Sequence, residues 1–263
     1  TTLYFISSAS IILAGSGALI HQFFGIPKII GTLIMLCISL FFLLRGTEGL
    51  IEVNSFIVPG LILTISLITT LYIAFGNDVM TIDNIIHAPA KKSGVFISTL
   101  LYSGYNILCS SGVLVPLSTK MKKSKTMIIG IVLGALGLTF LSLAINSLLL
   151  INQPYIYEYE IPLLFIAQRF GPIVQAILSM IILLEMFSTE VSDVYSIGKT
   201  LEQTFKIKFN LGIVIVLAIA LPISQIGFGA LISTLYPMFG CLSLIFITQC
   251  IIFYFKHRKE MTN

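Results

Sequence analysis

The sequence predicts an all-α membrane protein, a single polytopic domain of about eight transmembrane helices over residues 1–263. Hydrophobic residues make up 57% of the chain and charged residues only 10%, with a mean hydropathy of +1.03, whereas soluble domains carry about 25% charged residues. Apolar runs recur from end to end, with no polar block large enough for a separate soluble domain. A transmembrane barrel would alternate apolar and polar residues in segments of about 10. The run GTLIMLCISLFFLL at 31–44 does not alternate and excludes it.

A span needs about 20 mostly apolar residues to cross about 30 Å of hydrocarbon. By that rule the expected spans are Thr2–His21, Pro27–Leu44, Phe56–Phe75, Gly94–Thr119, Thr126–Ile151, Pro172–Ile197, Leu211–Ile226 and Gly229–Phe255. Two connections are longer than hairpins. The segment GNDVMTIDNIIHAPAKKSG at 76–94 is mixed in charge and contains a proline, and predicts an exposed loop with one short helix. The segment NQPYIYEYEIPLLFIAQRFG at 152–171 joins tyrosines and prolines to the apolar patch IPLLFIA. Aromatic residues favour the headgroup level, so a short interfacial or re-entrant helix is expected there. Tyr155 to Phe165 then reads either as a lid or as a simple interfacial anchor.

Basic loops tend to remain cytoplasmic. Placing Lys120, Lys122, Lys123 and Lys125 inside puts Arg45, Lys199, Lys206, Lys208, Lys256, Arg258 and Lys259 on the same side, against Lys28, Lys91, Lys92 and Arg169 outside. Both termini of the chain are therefore expected to be cytoplasmic, in a bacterial inner membrane. The net charge of +4 reads as topology signals that touch anionic lipid, not as a nucleic-acid site. Cys37, Cys109, Cys241 and Cys250 lie in apolar segments without paired ligand spacing, as small buried hydrophobes do. The opening stretch lacks the basic region of a cleaved signal peptide. His21, His87 and His257 are scattered, so neither an enzyme nor a cofactor is expected.

Two spans carry polar interruptions. The fourth contains LYSGYNILCSSGVLVP, in which Gly104 and Gly112 flank Tyr105, Asn106, Ser110 and Ser111. Unwound backbone survives at membrane depth only inside protein or beside a cavity. A break there would offer backbone groups to a midplane ligand, with the half-helix beginning near Ser110 aimed at an anionic group. The competing reading is that these small residues let neighbouring helices approach closely.

The sixth span carries Glu185, Glu190 and Asp193. At helical spacing Glu185, Ser188, Thr189, Ser192 and Ser196 share one face, and Glu190 and Asp193 project from another. Carboxylates at membrane depth face the protein interior or a water-filled path. Glu185, expected to lie deepest, reads as a cation ligand, a proton carrier or a residue held by a hydrogen bond. Ser188 and Thr189 offer hard oxygens suited to an alkali cation, although hydroxyls also bond back to their own helix. Asp193 and Glu190 are expected near the cytoplasmic end, solvated or paired with Lys199.

The stretches GSGALIHQFFGIP at 15–27, NSFIVPGLI at 54–62, LYSGYNI at 101–107 and EMFSTEVSDVYS at 185–196 carry a family resemblance. The chain resembles the amino acid, polyamine and organocation transporters with the LeuT-like fold, and more closely the bacterial YkvI-type membrane proteins. The resemblance implies that the eight spans correspond to core helices three to ten of an inverted-repeat bundle. Two core helices would then precede the first span, making this an amino-terminally truncated core unless another chain supplies them. It also implies that the sixth span matches the core helix that lends hydroxyls to a cation, a role falling here on Ser188 and Thr189.

The function expected on these grounds is secondary transport of a small polar solute, such as an amino acid, by alternating access. Gly104, Tyr105, Asn106, Ser110, Ser111 and Gly112 would form the substrate site. Glu185, Ser188, Thr189 and Ser192 would form the sodium or proton coupling path, with no metal beyond an alkali cation. The alternative is a non-transporting receptor subunit similar to the permease-like proteins of spore germination.

Overall fold

The computed structural model describes residues 2–45, 50–75, 94–120 and 124–261. Its elements are α1 (Thr2–Phe24), α2 (Lys28–Arg45), α3 (Leu50–Phe75), α4 (Val95–Lys120), α5 (Ser124–Ile151), a 3-10 turn (Tyr155–Glu158), α6 (Pro162–Gln168), α7 (Pro172–Phe205), α8 (Phe209–Ser224) and α9 (Phe228–Met261). No strand occurs among the described residues. The protein is an all-α membrane protein, and each expected span is a helix. Six of these helices, α1, α2, α3, α5, α7 and α9, are long and apolar enough to cross a bilayer. Helix α8, at 16 residues, rises about 24 Å, short of the roughly 30 Å of a hydrocarbon core. The short helix expected in the loop before α4, at 76–93, lies outside the described residues.

Local chemistry sets the helix ends. Gly25 takes φ +70° after α1, a conformation open to glycine without a Cβ penalty, and its N–H bonds to the His21 carbonyl at 2.9 Å. Pro172 occupies the first turn of α7, where no intrahelical N–H is needed. The helix ends on Lys206 in the left-handed region, with its N–H bonded to the Leu201 carbonyl.

The chain divides into two compact units, one of Thr1–Pro89 with Gly137–Ala230 and one of Ala90–Leu136 with Leu231–Asn263. In the first, α1 packs against α2, α7 and α8, while α3 and α6 pack on α7. Ala9, Leu13, Met35, Leu43, Val191 and Leu217 belong to one apolar cluster joining α1, α2, α7 and α8. Leu19, Ile68, Tyr72, Leu148, Leu164 and Leu178 belong to a second, which includes the other end of α1. Contact between α1 and α2 is close at Gly17, where a Cβ would strike Thr32 Oγ1 and lie 2.7 Å from the Lys28 carbonyl oxygen. The Thr32 hydroxyl reaches the Leu13 and Lys28 carbonyls at 3.2 and 3.1 Å. Phe41, Leu63, Ile73 and Met180 stand exposed on the outer faces, surface that a bilayer covers at no hydrophobic cost.

The second unit contains α4 and most of α9. The two helices meet through small residues: a Cβ on Gly240 would strike the Leu101 carbonyl and lie 2.9 Å from its carbon, and one on Gly104 would lie 3.2 Å from the Gly240 carbonyl oxygen. Buried Ser243 donates across this crossing to the Gly104 carbonyl, and Tyr105 stacks on Tyr236 at 4.3 Å.

Candidate functional site

The middle of α7, counted over Pro172–Phe205, falls at Ser188 and Thr189. Glu190 and Asp193 follow within the next turn. Glu190 is 0% exposed and Asp193 8%. Both Glu190 carboxylate oxygens and Asp193 Oδ2 lack any hydrogen-bond partner. The other oxygen of Asp193 is served by the Ser8 hydroxyl of α1, which donates to it. An ionised carboxylate without a partner costs several kcal/mol in such an enclosure.

Helix register brings two hydroxyls to this level. A Cβ on Gly15 would lie 3.0 Å from the Met186 methyl carbon and Ser8 meets Asp193, seven positions apart on each helix, so α1 and α7 run antiparallel with Glu190 opposite Ile11. On α2, Thr32 lies against Leu13 and Gly17. Ser39, two turns further along the same antiparallel face, reaches the level of Ser8. Ser39 is 0% exposed and its hydroxyl has no partner. Ser10, Thr64, Ser179 and Thr200 instead donate to the carbonyl four residues back in their own helices. Chemically, two buried carboxyls with adjacent hydroxyls can hold a proton or a small cation.

This placement corrects the expectation for α7. Glu190 and Asp193 are the buried carboxyls, not solvated groups at a helix end, because α7 continues eight residues past the expected limit at Ile197. Lys199 does not pair with Asp193. It bonds Glu202 at 2.8 Å and lies 4.7 Å from the Phe209 ring. Glu185, expected to lie deepest, is exposed. Of the hydroxyls sharing its face, Thr189 donates to the Glu185 carbonyl at 2.9 Å and Ser192 to that of Ser188 at 2.8 Å. Ser188 is buried. The structure therefore joins Glu190 and Asp193 to Ser8 and to the level of Ser39, and leaves Glu185 apart from them. Nothing marks Ser8 and Ser39 in the sequence beyond hydroxyls in apolar runs; helix register is what singles them out.

The expected break in the fourth span is also corrected. Helix α4 is continuous from Val95 to Lys120, through both Gly104 and Gly112. Gly104 serves the close crossing with α9, so the small-residue reading accounts for it. The polar side chains bond to their own helix: Asn106 Nδ2 to the Tyr102 carbonyl at 2.8 Å, Ser110 to Ile107 at 3.1 Å and Ser111 to Leu108 at 2.7 Å. Tyr105 is buried while Asn106 and Ser110 remain exposed. The surroundings of Gly112 lie outside the described residues.

The segment after α5 is helical in part, as its composition predicts. It is fastened to the first unit by Gln22, which both donates to and accepts from the Ile161 backbone at 3.0 and 3.2 Å, and by Lys28–Glu160 at 2.8 Å. The Tyr72 hydroxyl donates to Asn152 Oδ1 at 2.7 Å. Leu164, Ile166 and Ala167 bury the apolar side of α6. Beside it lies a cleft of about 590 Å³ lined by Tyr72, Asn152, Tyr155, Tyr159, Gln168 and Arg169, among others.

The chain is similar to the uncharacterised membrane protein YkvI of Bacillus subtilis (strain 168), with 30% identity over 247 residues that cover 90% of this chain and 67% of YkvI. It is also similar to the uncharacterised protein YyaD of the same organism, 21% identical over 251 residues, covering 95% of this chain and 72% of YyaD. No family model matches the chain. No solved structure matches it. The extent and level of identity with YkvI show that this multi-pass membrane protein belongs to the YkvI family.

Proposed function

We propose that the protein is a secondary-transporter-like membrane protein that moves a small polar solute such as an amino acid by alternating access, coupled to a proton or a cation. The observation that carries this reading is the buried, unpartnered carboxylate of Glu190 at the middle of a membrane-spanning helix. Ionisable groups at that depth are expensive, and they mark ion and substrate pathways. In this reading α7 corresponds to the eighth helix of a LeuT-like core, and the coupling role passes from Glu185 to Glu190 and Asp193. The exposed polar surface of α4 at Asn106 and Ser110 is the solute-facing stretch.

Uptake of a radiolabelled amino acid mixture into proteoliposomes holding the full-length protein is expected to saturate with solute concentration. Asn106→Ala is expected to lower it several-fold. Saturable binding of the same amino acids without any flux would instead place the protein with ligand-sensing receptor subunits.

A further inference from the structure

Glu190 and Asp193 lie three positions apart on α7, both buried, and their chain neighbours Val191 and Val194 belong to one apolar cluster with Ala9, Leu13, Leu217 and Ala220. Two carboxylates at that spacing, both ionised, would place two like charges in apolar surroundings. No cation on the packed elements offsets them among the described residues. Helix α1 carries no charged side chain from Leu3 to Ile20 and α8 none from Phe209 to Ser224. The described side chains of α3, 56–75, and those of α6 are likewise uncharged. Helix α2 has only Lys28 and Arg45, at its two ends, and Arg45 lies 4.2 Å from the Phe41 ring. The other titratable groups on these elements are Tyr4, His21, exposed Cys37 and Tyr72, with Glu185, Tyr195, Lys199 and Glu202 on α7 itself. Lys199 is committed to Glu202.

The free oxygens also limit what can bind. They are Glu190 Oε1 and Oε2, Asp193 Oδ2 and Ser39 Oγ. Calcium takes about six to eight oxygen ligands and magnesium a near-ideal octahedron. Four oxygens on three side chains of two helices fall short of a calcium shell, and the several waters that magnesium keeps need room beside carboxyls only 0% and 8% exposed. A proton needs one carboxyl oxygen, and an adjacent hydroxyl or carboxylate can accept the O–H that results.

We propose that Glu190 and Asp193 form a proton-binding pair, in which one exchangeable proton is held on the sealed Glu190 carboxyl and passes to Asp193, the more accessible partner, when side-chain rotation closes the gap that leaves their oxygens unpartnered. In the transfer the Glu190 O–H bond breaks and an Asp193 O–H bond forms, and the pair keeps a single negative charge throughout. The Ser8 hydroxyl donates to the carboxylate of Asp193 before the proton arrives, and Ser39 lies at the same level to accept or donate. The use of this proton for coupling rests on the transport reading; its binding does not.

Dicyclohexylcarbodiimide tests the pair directly, because it adds across the O–H of a protonated carboxyl in an apolar site and leaves an acylurea that mass spectrometry locates. In the full-length protein in proteoliposomes, Glu190 is expected to be labelled, with the adduct declining as pH is raised. Sodium added at constant pH is expected to leave the yield unchanged, and Asp193→Asn to preserve labelling of Glu190. Absence of a Glu190 adduct at every pH would overturn the proposal, as would loss of the adduct on adding sodium, which would make the site an alkali cation site. Labelling without amino acid flux in the same vesicles would sustain the proton pair and defeat the transport reading. Flux without labelling would do the reverse.

Discussion

Thermal unfolding of the detergent-solubilised Glu190→Leu protein is expected to require a higher temperature than that of the parent, with a gain of about 1–3 kcal/mol, the penalty of a buried polar group left without a partner. Leucine is larger than glutamate by about one methylene group, a small overpacking cost, and adds no polar atom. The next residue of the helix, Val191, already belongs to one apolar cluster with Ala9, Leu13 and Leu217. The parent instead keeps two carboxylate oxygens out of water without a partner. Transport by the variant is expected to vanish. A gain in stability that removes activity is what a group retained for function produces. A loss of about 3–5 kcal/mol would instead show that Glu190 is one half of a buried ion pair.

Gly17→Val is expected to destabilise the protein by about 1–3 kcal/mol, the range for overpacking a tight contact. The same melting experiment reads it as a lowered transition temperature. Rotating Thr32 can move its hydroxyl aside, yet the Lys28 carbonyl, 2.7 Å from the added Cβ, belongs to the backbone and moves only if the helix does. The expected strain therefore survives in the double variant Gly17→Val/Thr32→Ala. Recovery of parental stability in that double variant would locate the whole clash at the Thr32 side chain.

Six of the helices are legible because each is an apolar run long enough to cross a bilayer, and such runs show in composition alone. The far end of α7 is not. Lys199 reads as part of a cytoplasmic basic cluster beyond the span, but it pairs with Glu202 within the continuing helix. That extension moves the helix middle to Ser188 and Thr189 and takes Glu190 inside with it. Periodicity separated the Glu185 face from the Glu190 and Asp193 face, but could not say which one meets α1. That is decided by the close packing of Gly15 against Met186 and Gly17 against Thr32, contacts between residues far apart in the chain. For the same reason the glycines of the fourth span could be read as a break or as a close crossing until Gly240 and Ser243 of α9 were seen against Gly104 and its neighbour Leu101.

Proton coupling through Glu190 is measured by comparing parent and Glu190→Gln in proteoliposomes loaded with amino acids. Glutamine keeps the shape of the side chain and removes its capacity to bind and release a proton. Glu190→Gln is expected to lose accumulation driven by a proton gradient while still exchanging internal for external solute. Accumulation by Glu190→Gln equal to that of the parent would contradict proton coupling through Glu190.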